Sequence, residues 1–314
     1  MLVFALEPYH YLQEAICQQR DVSAGRIESR RFPDGECYHR VLDTVAGRDV
    51  ALIGGTIDDE QTLVVYDVAS ALVSERAASL TLLVPYFGHS TMDRAVWPGE
   101  AVTAKTRARL LSNVPQAANG NRIVLVDLHS EGLPYYFEGA LQPVHIYAKP
   151  IVLEAVRELG GERFVLASAD AGRAKWVQSL ARDLHVPAAV AIKQRSETGE
   201  VTVEAASTVV AGQDVVLFDD MVRSGDTLMR AAEAYRTAGA TSIAAVVTHG
   251  VLPDGALERL QSSGLLIRLI CTDSHPRAQA FAQHPDFAGF FQVRSLAPLL
   301  ADFLQPAASS GSGP

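Results

Sequence analysis

Cysteine is scarce in this chain of 314 residues, and the three present, Cys17, Cys37 and Cys271, are odd in number and widely separated. That pattern suggests neither a disulfide framework nor a cysteine-built zinc site, and leaves reduced, mostly buried thiols as the reading. No apolar run approaches the roughly 18 residues of a membrane span. Met1-Leu2-Val3-Phe4 opens without a basic region or a signal-peptide core, so a cytoplasmic location and no membrane partner are expected. Positive charge is in deficit as well: 27 Lys and Arg against 36 Asp and Glu give a formal charge of -9. Non-specific nucleic-acid binding needs the opposite balance, because Lys and Arg must displace counterions from phosphates. A Gly-x-x-x-x-Gly-Lys-Ser/Thr segment is missing too, so any phosphates must be held without a P-loop.

What is present is ordinary for a soluble globular protein: 48% apolar and 20% charged residues, over a length that suits two domains. Short β-rich runs recur at Val50 to Ile53, Leu80 to Tyr86, Ile123 to Asp127, Phe164 to Ala167, Val215 to Phe218, Ile243 to Val247 and Leu265 to Ile270. Each reads as a strand buried on both faces. Helical spacing separates them, as in Trp176, Val177, Leu180, Ala181 and Leu184. Strands alternating with helices predict an α/β fold with mainly parallel sheets. The pattern runs through twice, and Lys149-Pro150, followed by a helix from Ile151 to Leu159, marks the division. Domains 1–149 and 150–305 are expected, with a flexible tail at 306–314, whose residues are too small and polar to pack. Ligands of open α/β sheets bind at the carboxyl ends of strands, which directs attention to Asp127-Leu128-His129, Asp170 and Asp219-Asp220.

The clearest local signal is the strand Val215 to Phe218, then Asp219-Asp220-Met221-Val222-Arg223-Ser224-Gly225-Asp226-Thr227, then a helix from Leu228 to Ala238. Such a loop can aim backbone N–H groups, the Ser224 and Thr227 hydroxyls and the positive end of a helix at one phosphate. Asp219 and Asp220 can accept hydrogen bonds from vicinal sugar hydroxyls, so together the segment suits a phosphorylated ribose. The plainer alternative is an acidic strand end before a helix capped by Ser224 or Asp226. This order resembles the 5-phosphoribosyl diphosphate motif of the type I phosphoribosyltransferase fold, which serves transferases and diphosphokinases alike.

Further segments resemble the ribose-phosphate pyrophosphokinase family in that family's order. They are Arg31-Phe32-Pro33-Asp34-Gly35-Glu36, Pro85-Tyr86-Phe87-Gly88 with Asp93-Arg94 and Pro98-Gly99-Glu100, Thr103-Ala104-Lys105, Asp127-Leu128-His129, Lys193-Gln194-Arg195 and Thr248-His249. The resemblance implies two tandem type I phosphoribosyltransferase-like domains, and transfer of a diphosphoryl group from ATP to the 1-hydroxyl of ribose 5-phosphate with Mg2+ present. It implies that His129 and Asp170 lie near the metal, and that Phe32, Asp34, Glu36, Asp93, Arg94 and His129 serve ATP. Asp219, Asp220, Arg223, Ser224, Gly225, Asp226 and Thr227 would then hold the ribose phosphate, with Lys193 and Arg195 catalytic. It also implies a homo-oligomer, dimer or hexamer, whose ATP site is shared, because in this family the Phe32 segment comes from a neighbouring subunit. Each set has a plainer alternative: a backbone-bonded strand-end His129, a solvated Lys193 and Arg195 on a hairpin, and a turn built on Pro33 and Gly35.

The chain departs from the family at several positions. Thr91 and Met92 replace a usual Arg-Gln, Arg173 stands where a second glycine is common, Trp176 replaces a basic residue, and Arg223 and Asp226 replace an acidic residue and a glycine. Arg94, Lys105 and Arg107 are the cations available to compensate for the lost arginine. Arg173 or Arg223 could serve a differently placed phosphate. Two other functions fit part of the pattern: a phosphoribosyltransferase using the same loop, and a non-catalytic regulatory homologue.

Overall fold

The computed structural model describes residues 1–195, 201–205 and 207–304, with side chains described except at 192–208. The expected tail at 306–314 lies outside the described residues. By internal contacts the chain divides into Met1–Ile146, joined by the segment from Ser295 onward, and Tyr147–Arg294.

The first unit runs β1 (Leu2–Ala5), α1 (His10–Gln19), β2 (Ser23–Ala24), β3 (Ile27–Arg31), β4 (Cys37–Val41), β5 (Asp49–Ile53), α2 (Asp59–Ser74), β6 (Ser79–Val84), α3 (Thr103–Ser112), β7 (Asn121–Val126) and β8 (Leu141–Ile146). Its main sheet has the order β2-β1-β5-β6-β7-β8, and every neighbouring pair is parallel. Parallel strands covered on both faces need unbroken apolar runs, and Val50 to Ile53 and Leu80 to Val84 are buried throughout. Asp58 starts α2 by accepting from the Gln61 N–H at 2.7 Å, and Val64, Val65, Val68, Ala69 and Leu72 then return to the sheet at helical spacing. β3 and β4 form a separate antiparallel hairpin, in register from Ile27–Val41 to Arg31–Cys37.

The second unit continues with α4 (Lys149–Gly160), β9 (Phe164–Ser168), α5 (Ala174–Leu184), β10 (Ala188–Arg195), β11 (Val201–Ala205), α6 (Ser207–Val210) and β12 (Asp214–Val222). It is completed by α7 (Asp226–Thr237), β13 (Ser242–Gly250), α8 (Ala256–Ser262), β14 (Leu269–Thr272), α9 (Pro276–Ala282) and β15 (Phe291–Arg294). The sheet order is β11-β10-β9-β12-β13-β14-β15, parallel except for β11, which pairs antiparallel with β10. Two mainly parallel sheets flanked by helices are the architecture that the strand-helix alternation predicts. β14 begins later than the run from Leu265 suggests, because the Leu265 N–H bonds to Ser263 Oγ at 3.2 Å in the turn after α8. Leu266 reaches the core from that turn.

The last described helix, α10 (Ala297–Asp302), belongs to the first unit, where a domain running to residue 305 was expected in the second. Its Leu296, Ala297, Leu300 and Ala301 are buried and it packs on α1. Arg20 pairs with Asp302, and the Arg122 guanidinium donates to the Phe303 carbonyl at 2.5 Å. No helix among the described residues is long and apolar enough to cross a membrane.

Candidate functional site

At the centre of the second sheet, β12 does not stop at Phe218 as its apolar run suggests. It continues to Val222, because Asp219, Met221 and Val222 stay in register with Val247, His249 and Gly250 of β13. Asp219 and Asp220 are therefore strand residues, 8% and 4% exposed, and the turn shortens to Arg223-Ser224-Gly225, with α7 starting at Asp226. Gly225 has φ +85°, and a Cβ there would sit 2.8 Å from Leu260 Cγ, so both backbone and space require glycine. Standing at the N-cap, Gly225 has no side-chain oxygen to give the first turn of α7. Ser224 Oγ donates to Asp226 Oδ2 at 2.9 Å, and the Ser224 carbonyl accepts from Arg259 at 2.9 Å, which ties the turn to α8. Arg223 and Asp226 are exposed and Thr227 is half-buried.

Asp170 closes β9 beside this strand. Its Oδ1 accepts from the Gly172 N–H at 2.9 Å and starts the short helical turn Ala171–Arg173 that leads into α5. Arg173 then reaches across to Asp220: Nε lies 3.0 Å from Oδ1 and a terminal nitrogen 2.5 Å from Oδ2. The two side chains are 16% and 5% exposed, so the fork is shielded from water. Burial pushes the Asp219 carboxyl well above the ordinary carboxylate range, with Asp220 and Asp170 adding to the rise and Arg173 opposing it. Trp176 is a packing residue: its ring lies 5.2 Å from Tyr147 and 6.3 Å from Phe218, with Lys149 Nζ 5.6 Å from it.

The sequence reading named Thr248-His249 but missed the residues these touch. His249, 2% exposed, has Nδ1 2.8 Å from Ser274 Oγ, and Thr272 Oγ1 donates to the Thr248 carbonyl at 2.6 Å. His275 follows, accepting from the Arg277 N–H as the N-cap of α9. The available signal was a polar Asp273-Ser274-His275 between an apolar strand and Pro276.

In the first unit, Phe32, Asp34 and Glu36 form the tip of the β3–β4 hairpin. The Phe32 N–H donates to the Glu36 carbonyl at 2.8 Å, and Asp34 Oδ1 accepts from the Glu36 N–H at 3.1 Å. Gly35 has φ +96°. The turn reading therefore holds, and it leaves the Phe32 ring 39% exposed, set edge-on to Tyr38 at 6.3 Å. Arg30 lies 5.2 Å from the Phe32 ring and 4.4 Å from that of Tyr38. The carbonyl of Asp93 accepts from the Tyr136 hydroxyl at 2.5 Å, and Arg94 is exposed. Among the compensating cations, Arg107 is held by Asp59 at 2.7 Å, and Lys105 Nζ lies 5.7 Å from the Tyr136 ring. Thr91 and Met92 are exposed.

His129 is half-buried just past β7. The preceding Leu128 N–H donates to His145 Nε2 at 3.0 Å, an acceptor kept neutral because burial pushes the His145 imidazole down. Lys193 and Arg195 lie on the main chain of β10, opposite Val203 and Val201 of β11 in the expected hairpin, and their side chains lie outside the described residues. Among the described residues no three His, Cys, Asp or Glu side chains converge into a metal cage. Mg2+ needs no such cage, since it takes one or two carboxylates, keeps waters and shares substrate phosphates, and Asp170 just past β9 offers an oxygen ligand of that kind.

Residues 1–114 match the N-terminal domain of ribose phosphate pyrophosphokinase, and residues 144–272 match the phosphoribosyl transferase domain. The ribose-phosphate pyrophosphokinase of Rhizobium meliloti is 34% identical over 277 residues, covering 87% of each chain. That of Brucella melitensis is 30% identical over 315 residues, covering 99% of this chain and 98% of its own. The crystal structure of phosphoribosylpyrophosphate synthetase from Mycobacterium smegmatis superposes with a TM-score of 0.83 at 27% identity, covering 96% of both chains.

Proposed function

This chain belongs to the ribose-phosphate pyrophosphokinase family, and we propose that it transfers the diphosphoryl group of ATP to the 1-hydroxyl of ribose 5-phosphate, with Mg2+, giving 5-phosphoribosyl diphosphate and AMP. The observation that carries the sugar side is the shielded Asp219-Asp220 pair near the end of β12, two residues before a glycine-capped turn and the N-terminus of α7. Asp220 accepts hydrogen bonds from the vicinal hydroxyls. The backbone from Arg223 to Thr227, with the Thr227 hydroxyl, receives the 5-phosphate, where the helix end favours an anion. The 1-hydroxyl oxygen forms its bond to the β-phosphorus as the bond from that phosphorus to the α–β bridging oxygen breaks. The bridging oxygen leaves with AMP, and the proton of the 1-hydroxyl passes to water.

On the nucleotide side, Phe32 offers a stacking face to the adenine, and Asp34 and Glu36 lie where acceptors for its exocyclic amine are needed. Asp93, Arg94 and His129 serve the phosphates. Asp170 and His129, each within its own unit, are the residues that would hold Mg2+ ions, which, when bound, neutralise the diphosphoryl group. Lys193 and Arg195 offset the charge that grows on the bridging oxygen, where a fixed cation is most useful in the transition state. The working form is a cytoplasmic homo-oligomer with an ATP site shared between subunits.

Release of AMP from ATP with Mg2+, measured with and without ribose 5-phosphate, tests this reading. Sugar-dependent AMP is expected, and its absence overturns the proposed activity. Lys193→Ala should lower kcat on the order of a hundredfold or more, while ribose 5-phosphate binding changes little. Equal losses in both would remove its transition-state role.

A further inference from the structure

The fork between Arg173 and Asp220 ties the short helical turn after β9 to the carboxylates of β12. Two observations make it more than a brace. It is shielded, with side chains 16% and 5% exposed, and a shielded ion pair contributes little net stability because desolvating both partners offsets their attraction. Packing alone therefore gives no reason for an arginine here. It also sits inside a group of three carboxylates, Asp170, Asp219 and Asp220, close enough to feel one another's charge. A sugar phosphate adds negative charge nearby, at the turn from Arg223 to Thr227 that follows the same strand. Some cation must offset that repulsion, either a divalent ion taken from solution or one fixed to the protein.

We propose that Arg173 is a specificity-determining residue of the sugar site, a resident cation that fastens Asp220 and lets ribose 5-phosphate bind without a divalent ion on its hydroxyl side. The fork suits both tasks. Nε and a terminal nitrogen each hold one Asp220 oxygen, so the carboxylate is oriented before the diol arrives. Its positive charge is part of the chain and cannot be lost by dilution or chelation. This inference rests on the proposed ribose 5-phosphate site and adds to it the statement that sugar binding is uncoupled from metal.

Binding of ribose 5-phosphate to the full-length protein, measured calorimetrically with chelator and with saturating Mg2+ in the absence of ATP, provides the test. Wild type should bind nearly as well with chelator as with Mg2+. Arg173→Gln, which keeps an amide donor for Asp220 but removes the charge, should lose on the order of tenfold or more in chelator and recover as Mg2+ is added. Arg173→Lys, which keeps the charge and loses the fork, should stay closer to wild type in chelator than Arg173→Gln does. A thermal melt confirms that each variant is folded. Arg173→Gln binding like wild type in chelator, or a wild type that binds the sugar only with Mg2+, overturns the inference while leaving the proposed activity standing. A wild type that binds no ribose 5-phosphate under either condition removes both.

Discussion

His275 shows how a single side chain can set the acid limit of this fold. Burial, then the charges of Arg277 and His249, push its imidazole down to about 3 from an ordinary 6.5. A depressed histidine favours the folded state above its unfolded pKa, and that contribution is lost as pH falls from about 6.5 toward about 3. The unfolding free energy read from urea titrations should therefore fall across that window, by about 1.4 kcal/mol per pH unit at the steepest. His275→Asn keeps an acceptor for the Arg277 N–H and should flatten the acid limb; an unchanged slope would show that His275 is not the group responsible. Asp219 acts with the opposite sign, since its raised carboxyl favours the folded state at low pH, so the difference between wild type and variant isolates His275. Gly225→Ala is the second residue-scale test. The φ of +85° and the crowding against Leu260 should cost about 2–4 kcal/mol and weaken sugar-phosphate binding as well, read by denaturation and calorimetry. At this scale residue types were legible in the sequence and their partners were not. Arg173 stood out as a departure, but nothing local says that its guanidinium ends on Asp220, 47 positions away.

Among the elements, the central strands and the helices α4, α5 and α7 were legible because burial on both faces demands apolar runs and helix packing demands a repeat of three or four. The ends were harder. β12 extends through two aspartates because the ladder to β13 continues, and a ladder bonds backbone groups whatever the side chains are. The hairpin β3–β4 has mostly polar, exposed residues and so lacks the apolar run that marks a core strand. α10 was missed as part of the first unit because a six-residue apolar helix carries no sign of which core it serves. Its packing on α1 makes a test: Leu300→Ala should cost about 2–4 kcal/mol. Hydrogen exchange should then rise in α1 and leave the strands of the second unit unchanged. A rise spread evenly over both units would contradict that local role.

For the molecule as a whole, the residues proposed for the nucleotide, from Phe32 to His129, belong to the first unit and those proposed for the sugar phosphate, from Asp219 to Thr227, to the second. If the Phe32 hairpin serves a neighbouring subunit, two separately impaired proteins should rescue each other. Mixing Phe32→Ala and Lys193→Ala chains through reversible dissociation should restore about a quarter of wild-type activity for randomly paired subunits. No recovery would place the whole ATP site within one chain. The sequence by itself determined the α/β class and the doubled pattern, and it carries the ligand class proposed for the β12–α7 turn, since periodicity, glycine and paired carboxylates act through neighbours along the chain. Only the tertiary structure decided that Arg173 grips Asp220, that His249 meets Ser274, and that the last helix returns to the first unit. Each of these contacts joins side chains far apart in sequence, and their pairing is set by strand register and core packing that no local pattern encodes.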